Sequence, residues 1–467
     1  MAEESTIAEI QAAFATGDLT AAQLVDFYLR RIADLNPALR GVVEVNPAAR
    51  RLADESDRER AIRPAALGRL HGIPVLLKDT IGTADELSTT AGSYALVGSK
   101  VRRDAGVVER LRNAGAIILG KCSMSEWYKF RSLAGVPDGW CARAGQGVNP
   151  YSPSGTPGGS SSGPAISVAA NMAAVALGTE THSSIITPAD HNSVVGIKPT
   201  VGLTSRAGVI PMTPRWDTVG PICRTVADAV CVLDVIAGPD PRDEATIDAG
   251  NFIPAGGYLQ FLNENGLEGK RLGVVRHPFV EKIHDANELT AFERHINTFR
   301  EKGGQVIDNL EIAQVGSILD PHHSGEVSIM MADFKTSLNA IAFNESNPDL
   351  EKLGDYDQAT FIAAEQTDGI GEHEKAVLTR LENYSRNGFE KLMKEHELDA
   401  MVTPGSRACP VFAIGGHPAV TVPAGYATDG GMPFGICFGG LKGSEGKLIE
   451  IAYAFEMATK VRVRPSL

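Results

Sequence analysis

Two short apolar runs bounded by glycines, GIPVLLKD at 72–79 and AGAIILGK at 114–121, flank the helical stretch DAGVVERLRNAG at 104–115. Strand, helix and strand at this spacing predict a βαβ unit, whose crossover requires a largely parallel sheet with helices packed on it. That feature restricts the chain to an α/β architecture, and the flanking sequence agrees. Residues 5–16 and 20–36 read as amphipathic helices, with Thr20 as N-cap and Leu24, Phe27, Tyr28 and Ile32 at helical period. Residues 46–61 read as a surface helix opened by Pro47. Further strands are expected at 270–276, 398–404, 419–426 and 433–440, with helices over 222–237, 287–303 and 447–460. No repeat or low-complexity linker divides the 467 residues. The expectation is one α/β/α domain over 1–467, with a mixed, mostly parallel central sheet covered by helices on both faces.

Charge excludes some functions. The net charge is −13, and basic residues occur singly or in pairs such as Arg50-Arg51, so no nucleic-acid surface is expected. No window approaches the ~18 apolar residues of a membrane span. The N-terminus MAEESTIAEI is acidic and lacks the apolar stretch of a secretory signal, so the cytoplasm is the expected compartment. Six dispersed cysteines without a CxxC pair read as reduced core residues.

The most informative segment is 151–190. Its opening, YSPSGTPGGSSSG, is too rich in Gly and Pro for a regular element. A flexible linker would not run directly into an apolar helix, expected here over AISVAANMAAVAL at 165–177. A helix N-terminus near residue 163 would direct unpaired N–H groups at the preceding serines, which favours negative charge there. Pro164 stands where a phosphate-binding P-loop would need Lys, so a nucleotide site is not expected.

GTPGGSSSG (155–163), ALGTETHSSI (176–185) and VVGIKPTVGLTSRAGVIP (194–211) together resemble the amidase signature family. So do GIPVLLKDTIGT (72–83), GKCSMSEW (120–127), RTVADAVCVLD (224–234), PAVTVPAGY (418–426) and KLIEIAYAFEMATKVR (447–462). The resemblance covers nearly the whole chain, with a signature core at about 70–235. It is nearest to peptide amidases and plant and fungal amidases, and more distant from fatty acid amide hydrolase and indoleacetamide hydrolase. It implies the amidase signature fold and a hydrolase acting on linear amides, small or peptidic, with no cofactor and no metal. It leaves a homodimer open.

The resemblance also implies a Ser–Ser–Lys triad. Lys78 is then the base, Ser160 the bridging serine after a cis peptide bond, and Ser184 the nucleophile, 24 positions beyond Ser160 as in the family. The chemistry is coherent without the family. A hydroxyl needs a base within hydrogen-bond reach. A lysine serves only if burial makes it neutral, and Lys78 ends the apolar run IPVLL. Ser160 can relay the proton, since a hydroxyl both donates and accepts. A salt bridge to the adjacent Asp79 is the alternative reading of Lys78. Ser161 and Asp79 are supporting candidates.

The stretch GTETHSSIITPAD (178–190) also sets a His beside serines. His182 lies two residues before Ser184, so its ring would have to fold back to act as a base. The resemblance instead assigns backbone N–H groups of Thr181, His182, Ser183 and Ser184 to an oxyanion hole. Here the chain departs from the family, which has Gly-Gly-Ser or Asp-Gly-Ser where His182-Ser183-Ser184 stands, and a small or apolar pair in place of Asp190-His191. A side-chain role for His182 would need Asp190 or His191 to hold it. His322-His323 lacks a third metal ligand at a recognisable spacing, Trp127, Trp140 and Trp216 read as core or pocket wall, and Arg206 falls near the expected pocket rim. Residues 85–100, 125–145 and 405–417 are expected to line the pocket. Two other outcomes compete with hydrolysis: an acyltransferase or esterase using the same acyl-enzyme, and a non-catalytic amidase-like binding module. The last is opposed by retention of all three triad residues.

Overall fold

A computed structural model of the chain describes residues 4–63, 67–335, 340–428 and 431–467. Its strands are β1 (Val42–Val45), β2 (Pro74–Lys78), β3 (Ile117–Cys122), β4 (Trp140–Cys141), β5 (Gly145–Gln146), β6 (Val175–Glu180), β7 (Val195–Lys198), β8 (Thr218–Cys223), β9 (Arg271–Val274), β10 (Gln305–Ile307), β11 (Ala400–Pro404), β12 (Ala419–Tyr426) and β13 (Pro433–Gly439). Apart from the small β4–β5 pair, they form one eleven-stranded sheet in the order β1-β3-β2-β6-β8-β7-β12-β13-β11-β9-β10, flanked by helices.

The sheet is mixed, as expected, but it is not mostly parallel. Parallel pairs are confined to β3-β2-β6 and β11-β9-β10, and every neighbour from β6 across to β11 is antiparallel. The parallel ends are where helical crossovers were visible in the sequence: Gly106–Asn113 between β2 and β3, and Ala286–Glu301 between β9 and β10. The middle, from β6 to β11, carried no such signal, although it holds the longest strands, β12 and β13.

The expected helix over 165–177 is two elements. A helix spans Ser162–Ala169, Asn171 takes a left-handed conformation, and the apolar residues from Val175 onward are β6. A strand buried on both faces reads as a continuous apolar run, which periodicity cannot separate from a buried helix. Thr20 does cap the helix Ala21–Leu39, accepting from Gln23 N at 3.1 Å in a capping box. All six cysteines are free. Among the described residues no helix is long and apolar enough to cross a membrane.

β2 lies between β3 and β6, and all five of its residues are buried. Lys78 sits at its C-terminal end, beside the ends of β3 and β6. This is the edge of a parallel sheet segment where α/β proteins place their sites.

A second anchor lies nearby. Arg131 is fully buried, 2.8 Å from Glu126 and 3.5 Å from Glu351, and it also donates to the carbonyls of Glu351, Tyr356 and Asp357. Burial pushes the Glu126 carboxyl up to about 8, against the opposing pull of Arg131. Removing the guanidinium would leave two carboxylates buried without compensation, so Arg131→Met is expected to cost about 3–5 kcal/mol of stability. Urea unfolding of the variant checks this, and a loss below about 1 kcal/mol would mean that the cluster does not hold the fold together.

Candidate active site

The Gly/Ser loop reaches the end of β2 because its glycines permit close approach. Gly158 is left-handed (φ +67°), and a Cβ on Gly163 would lie 2.2 Å from the Ser123 carbonyl oxygen. The Gly159–Ser160 peptide bond is cis. Lys78 Nζ lies 2.7 Å from Ser160 Oγ, and Ser160 Oγ lies 3.0 Å from Ser184 Oγ. Lys78 also donates to the Thr179 carbonyl at 3.1 Å. The structure therefore brings Lys78, Ser160 and Ser184 into one hydrogen-bonded row.

Lys78 is fully buried, and no carboxylate of the described residues pairs with it. Asp79 turns away. It accepts from Thr90 and from Gly92 N, and lies 3.5 Å from Arg143. Burial holds the Lys78 pKa well below the ordinary lysine value, against the opposing charges of Glu180 and Asp217. Ser161 Oγ accepts from Thr179 N and donates to its carbonyl, fastening the Gly/Ser loop to β6.

The turn carrying Ser184 is held by a residue the sequence reading did not single out. Glu180 at the end of β6 accepts from Ile185 N at 2.6 Å and Ile186 N at 2.9 Å. The Ser184 carbonyl accepts from Ser161 N at 3.1 Å, joining the two serine loops. Thr181 Oγ1 donates to Asp217 at 2.6 Å. Among the described residues, none accepts from the backbone N–H of His182, Ser183 or Ser184. Ser183 is not left-handed, so a side chain is accommodated where the family has glycine.

His182 is not held by Asp190 or His191. Its Nδ1 lies 2.7 Å from Oε1 of Glu326, a fully buried carboxylate whose other oxygen has no partner. Asp190 instead accepts from the backbone N–H groups of Ser406 and Gly435. Burial lowers the His182 pKa, but the charge and hydrogen bond of Glu326 more than offset this and raise it above the ordinary value. Only the tertiary fold brings Glu326 to this position, and no local pattern in the sequence marks it.

Ser160 and Ser184 open into a cavity of about 330 Å³ whose wall includes Tyr128, Lys129, His182 and Met330. Of the expected lining segments, only 125–145 contributes. Residues 85–100 and 405–417 do not, and their place is taken by Pro321, His322, Val327 and Met330, for which no role was expected beyond the His322-His323 pair. His322 is thus a wall residue, and among the described residues no cluster could hold a metal ion. Trp127, Trp140 and Trp216 are buried outside this wall, and Arg206 is tied to Asp243. A larger cavity of about 720 Å³, lined by Trp216, Ser385 and Arg386 among others, contains none of the row.

Comparison with known proteins agrees with the geometry. A family model for amidases matches residues 23–415. A protein of Arabidopsis thaliana named a probable amidase is 53% identical over 480 aligned residues, covering 99% of this chain and 91% of that protein. The native peptide amidase of Stenotrophomonas maltophilia superposes with a TM-score of 0.91 at 39% identity, over 99% of this chain and 98% of that one. An amidase family protein of Bacillus anthracis gives a TM-score of 0.91 at 32% identity, over 99% and 92%. With the match spanning most of its length and a 53% identical relative, the chain belongs to the amidase family.

Proposed function

We propose that the protein hydrolyses linear carboxamides, peptide amides among them, through an acyl-enzyme on Ser184, acting as one domain over 1–467. The observation that carries the reading is the row Lys78–Ser160–Ser184 at 2.7 and 3.0 Å, ending on a dry lysine without a carboxylate partner. Ser184 Oγ attacks the carbonyl carbon while its proton passes to Ser160 and that of Ser160 to the Lys78 amine. The negative charge on the carbonyl oxygen meets N–H groups of Thr181, His182, Ser183 and Ser184. The C–N bond then breaks as Lys78 returns the proton through Ser160 to the leaving nitrogen. Water replaces the amine and repeats the relay, releasing the acid. Ser161 and Asp79 act by holding the loops, and the free N–H groups on the 182–184 turn support the oxyanion assignment.

Ser184→Ala removes the attacking oxygen and is expected to reduce amide turnover at least about a thousandfold while the protein stays folded. Steady-state assay with circular dichroism checks this, and retention of a tenth of the activity would move the nucleophile to another serine.

The active form of Lys78 is the free amine, so the rate is expected to rise with pH as the ammonium deprotonates. Because burial depresses its pKa, the rise levels off well below the ordinary lysine value of about 10.4. Lys78→Ala is expected to slow acylation about a hundredfold or more. A flat pH profile together with an active Lys78→Ala enzyme would remove the lysine from the mechanism.

Acyl transfer to an amine or alcohol is the second reading, and the His182–Glu326 pair beside the nucleophile is what keeps it open. If His182 serves through its backbone, His182→Ala combined with Glu326→Gln keeps turnover within about tenfold, or about 1.4 kcal/mol. The double variant avoids stranding a buried carboxylate. A hundredfold loss, or a shift between hydrolysis and transfer products measured side by side, would give the imidazole a role of its own.

A further inference from the structure

Trp127, Tyr128 and Lys129 are three consecutive residues with left-handed backbones, at φ +48°, +63° and +71°, and none is glycine. Each such residue is disfavoured by about 1–2 kcal/mol, so the turn persists only because its surroundings dictate it. Trp127 is fully buried and packs edge-on to Phe361, and its backbone N–H donates to the Ala91 carbonyl at 2.9 Å. Lys129 Nζ is 3.3 Å from Asp138. The residue at the apex is Tyr128.

Its ring lies over Lys78, with Nζ 4.9 Å from the centroid. Its hydroxyl donates to the Ile210 carbonyl and faces the Thr80 and Thr179 side chains, and Ile210 N donates to the Thr80 carbonyl, two residues beyond Lys78. Tyr128 also stands between two cavities. One is the cavity of Ser160 and Ser184. The other, a rear cavity of about 200 Å³, is lined by Thr179, whose carbonyl accepts from Lys78, and by Arg206, Asp217 and Thr218 among others.

We infer that Tyr128 is a positioning residue for Lys78, a wall that keeps water of the rear cavity off the amine and a π face that receives the ammonium when the proton arrives. This rests on the reading of Lys78 as base. The two effects act in opposite directions on the lysine. Exclusion of water favours the free amine, while the ring quadrupole favours the ammonium within about 6 Å of the centroid. A base that must gain and return a proton at each step needs both, because a dry amine with no acceptor for its charge would be a poor proton carrier. The other charged groups facing Lys78 are Glu180 from β6 and Asp217 from the segment before β8, and both favour the ammonium.

The opposed effects give opposed signs. Tyr128→Leu keeps the site dry and removes the π face, so the acid limb of the pH profile moves to lower pH by about half a unit or more. Tyr128→Gly joins the cavities, admits water and moves the limb to higher pH by about a unit. Glycine tolerates the left-handed backbone, so that variant is expected to fold. The readout is the rate at which an alkyl fluorophosphonate labels Ser184 between about pH 5 and 10, followed by intact mass, which is independent of the natural substrate. Limbs that stay together in both variants, with Lys78→Ala slow to label, would overturn the inference and leave Tyr128 as a plain wall. Lys78→Ala labelling at the parent rate would overturn the lysine base, and this inference with it. Should Tyr128→Gly fail to fold, a limb in Tyr128→Leu that does not move down is sufficient to reject it.

Discussion

A fully buried amine with no carboxylate against it sets the terms for everything around it. Transferring an ammonium out of water costs several kcal/mol, so the interior at Lys78 favours the neutral form. The fold has to keep the compensating charges nearby from undoing that. Glu180 is committed to the Ile185 and Ile186 N–H groups. Asp217 is committed to Thr181, Met212 N and Thr213 N, with burial pushing its carboxyl up to about 6. Both carboxylates are oriented toward donors that shape the site. They remain close enough to ease the charge on Lys78 when it forms.

The same groups that tune the lysine also position the serines. Glu180 caps the turn that carries Ser184, and Ser161 ties the Gly/Ser loop both to Thr179 and to the Ser184 carbonyl. The row of hydroxyls therefore cannot shift as a loop would. Its ends are set by β2 and β6, adjacent parallel strands in register from Val75 with Val175 to Leu77 with Leu177. The hydrogen-bond distances of the relay are a consequence of that register and of the glycines that let the loop approach it.

What was legible in the sequence follows the same division between local and tertiary causes. Lys78 was marked by the resemblance, and the apolar run before it added only the expectation that its amine is buried. Ser160 and Ser184 were marked by the resemblance, whose spacing of 24 positions they match, while the Gly/Ser run by itself showed only that no regular element begins there. β7 and β8 were not visible: β7 has only four residues, and β8 holds Gly220 and Pro221, which argue against a central strand in any reading from propensity. β6 was hidden inside an expected helix, since its apolar run continues the helix that precedes it after a break at a single left-handed Asn171. Glu326 and the cavity wall from 321–330 lie some 140 positions from His182 and are joined to it only by packing. No pattern along the chain reports such a pairing.

The left-handed turn links these two kinds of information. Its first residue, Trp127, ends the segment 120–127 that the resemblance picked out, but its conformation is dictated by groups far away in sequence. Glu126 just before the turn and Arg131 just after it are joined to each other and, through Arg131, to Glu351, Tyr356 and Asp357. Glu351 in turn accepts from Ser93 and Tyr94 N. One buried cluster thereby holds the residues on either side of the four that lie between Glu126 and Arg131, and the first three of these, Trp127, Tyr128 and Lys129, take the left-handed path. A buried ion pair is weak evidence for stability, because an apolar replacement of the same shape is often as stable. Its stronger use is to specify one arrangement over others. Here the arrangement specified is the one that places the Tyr128 ring over the Lys78 amine, so the ionic cluster bears on the lysine through the turn it holds.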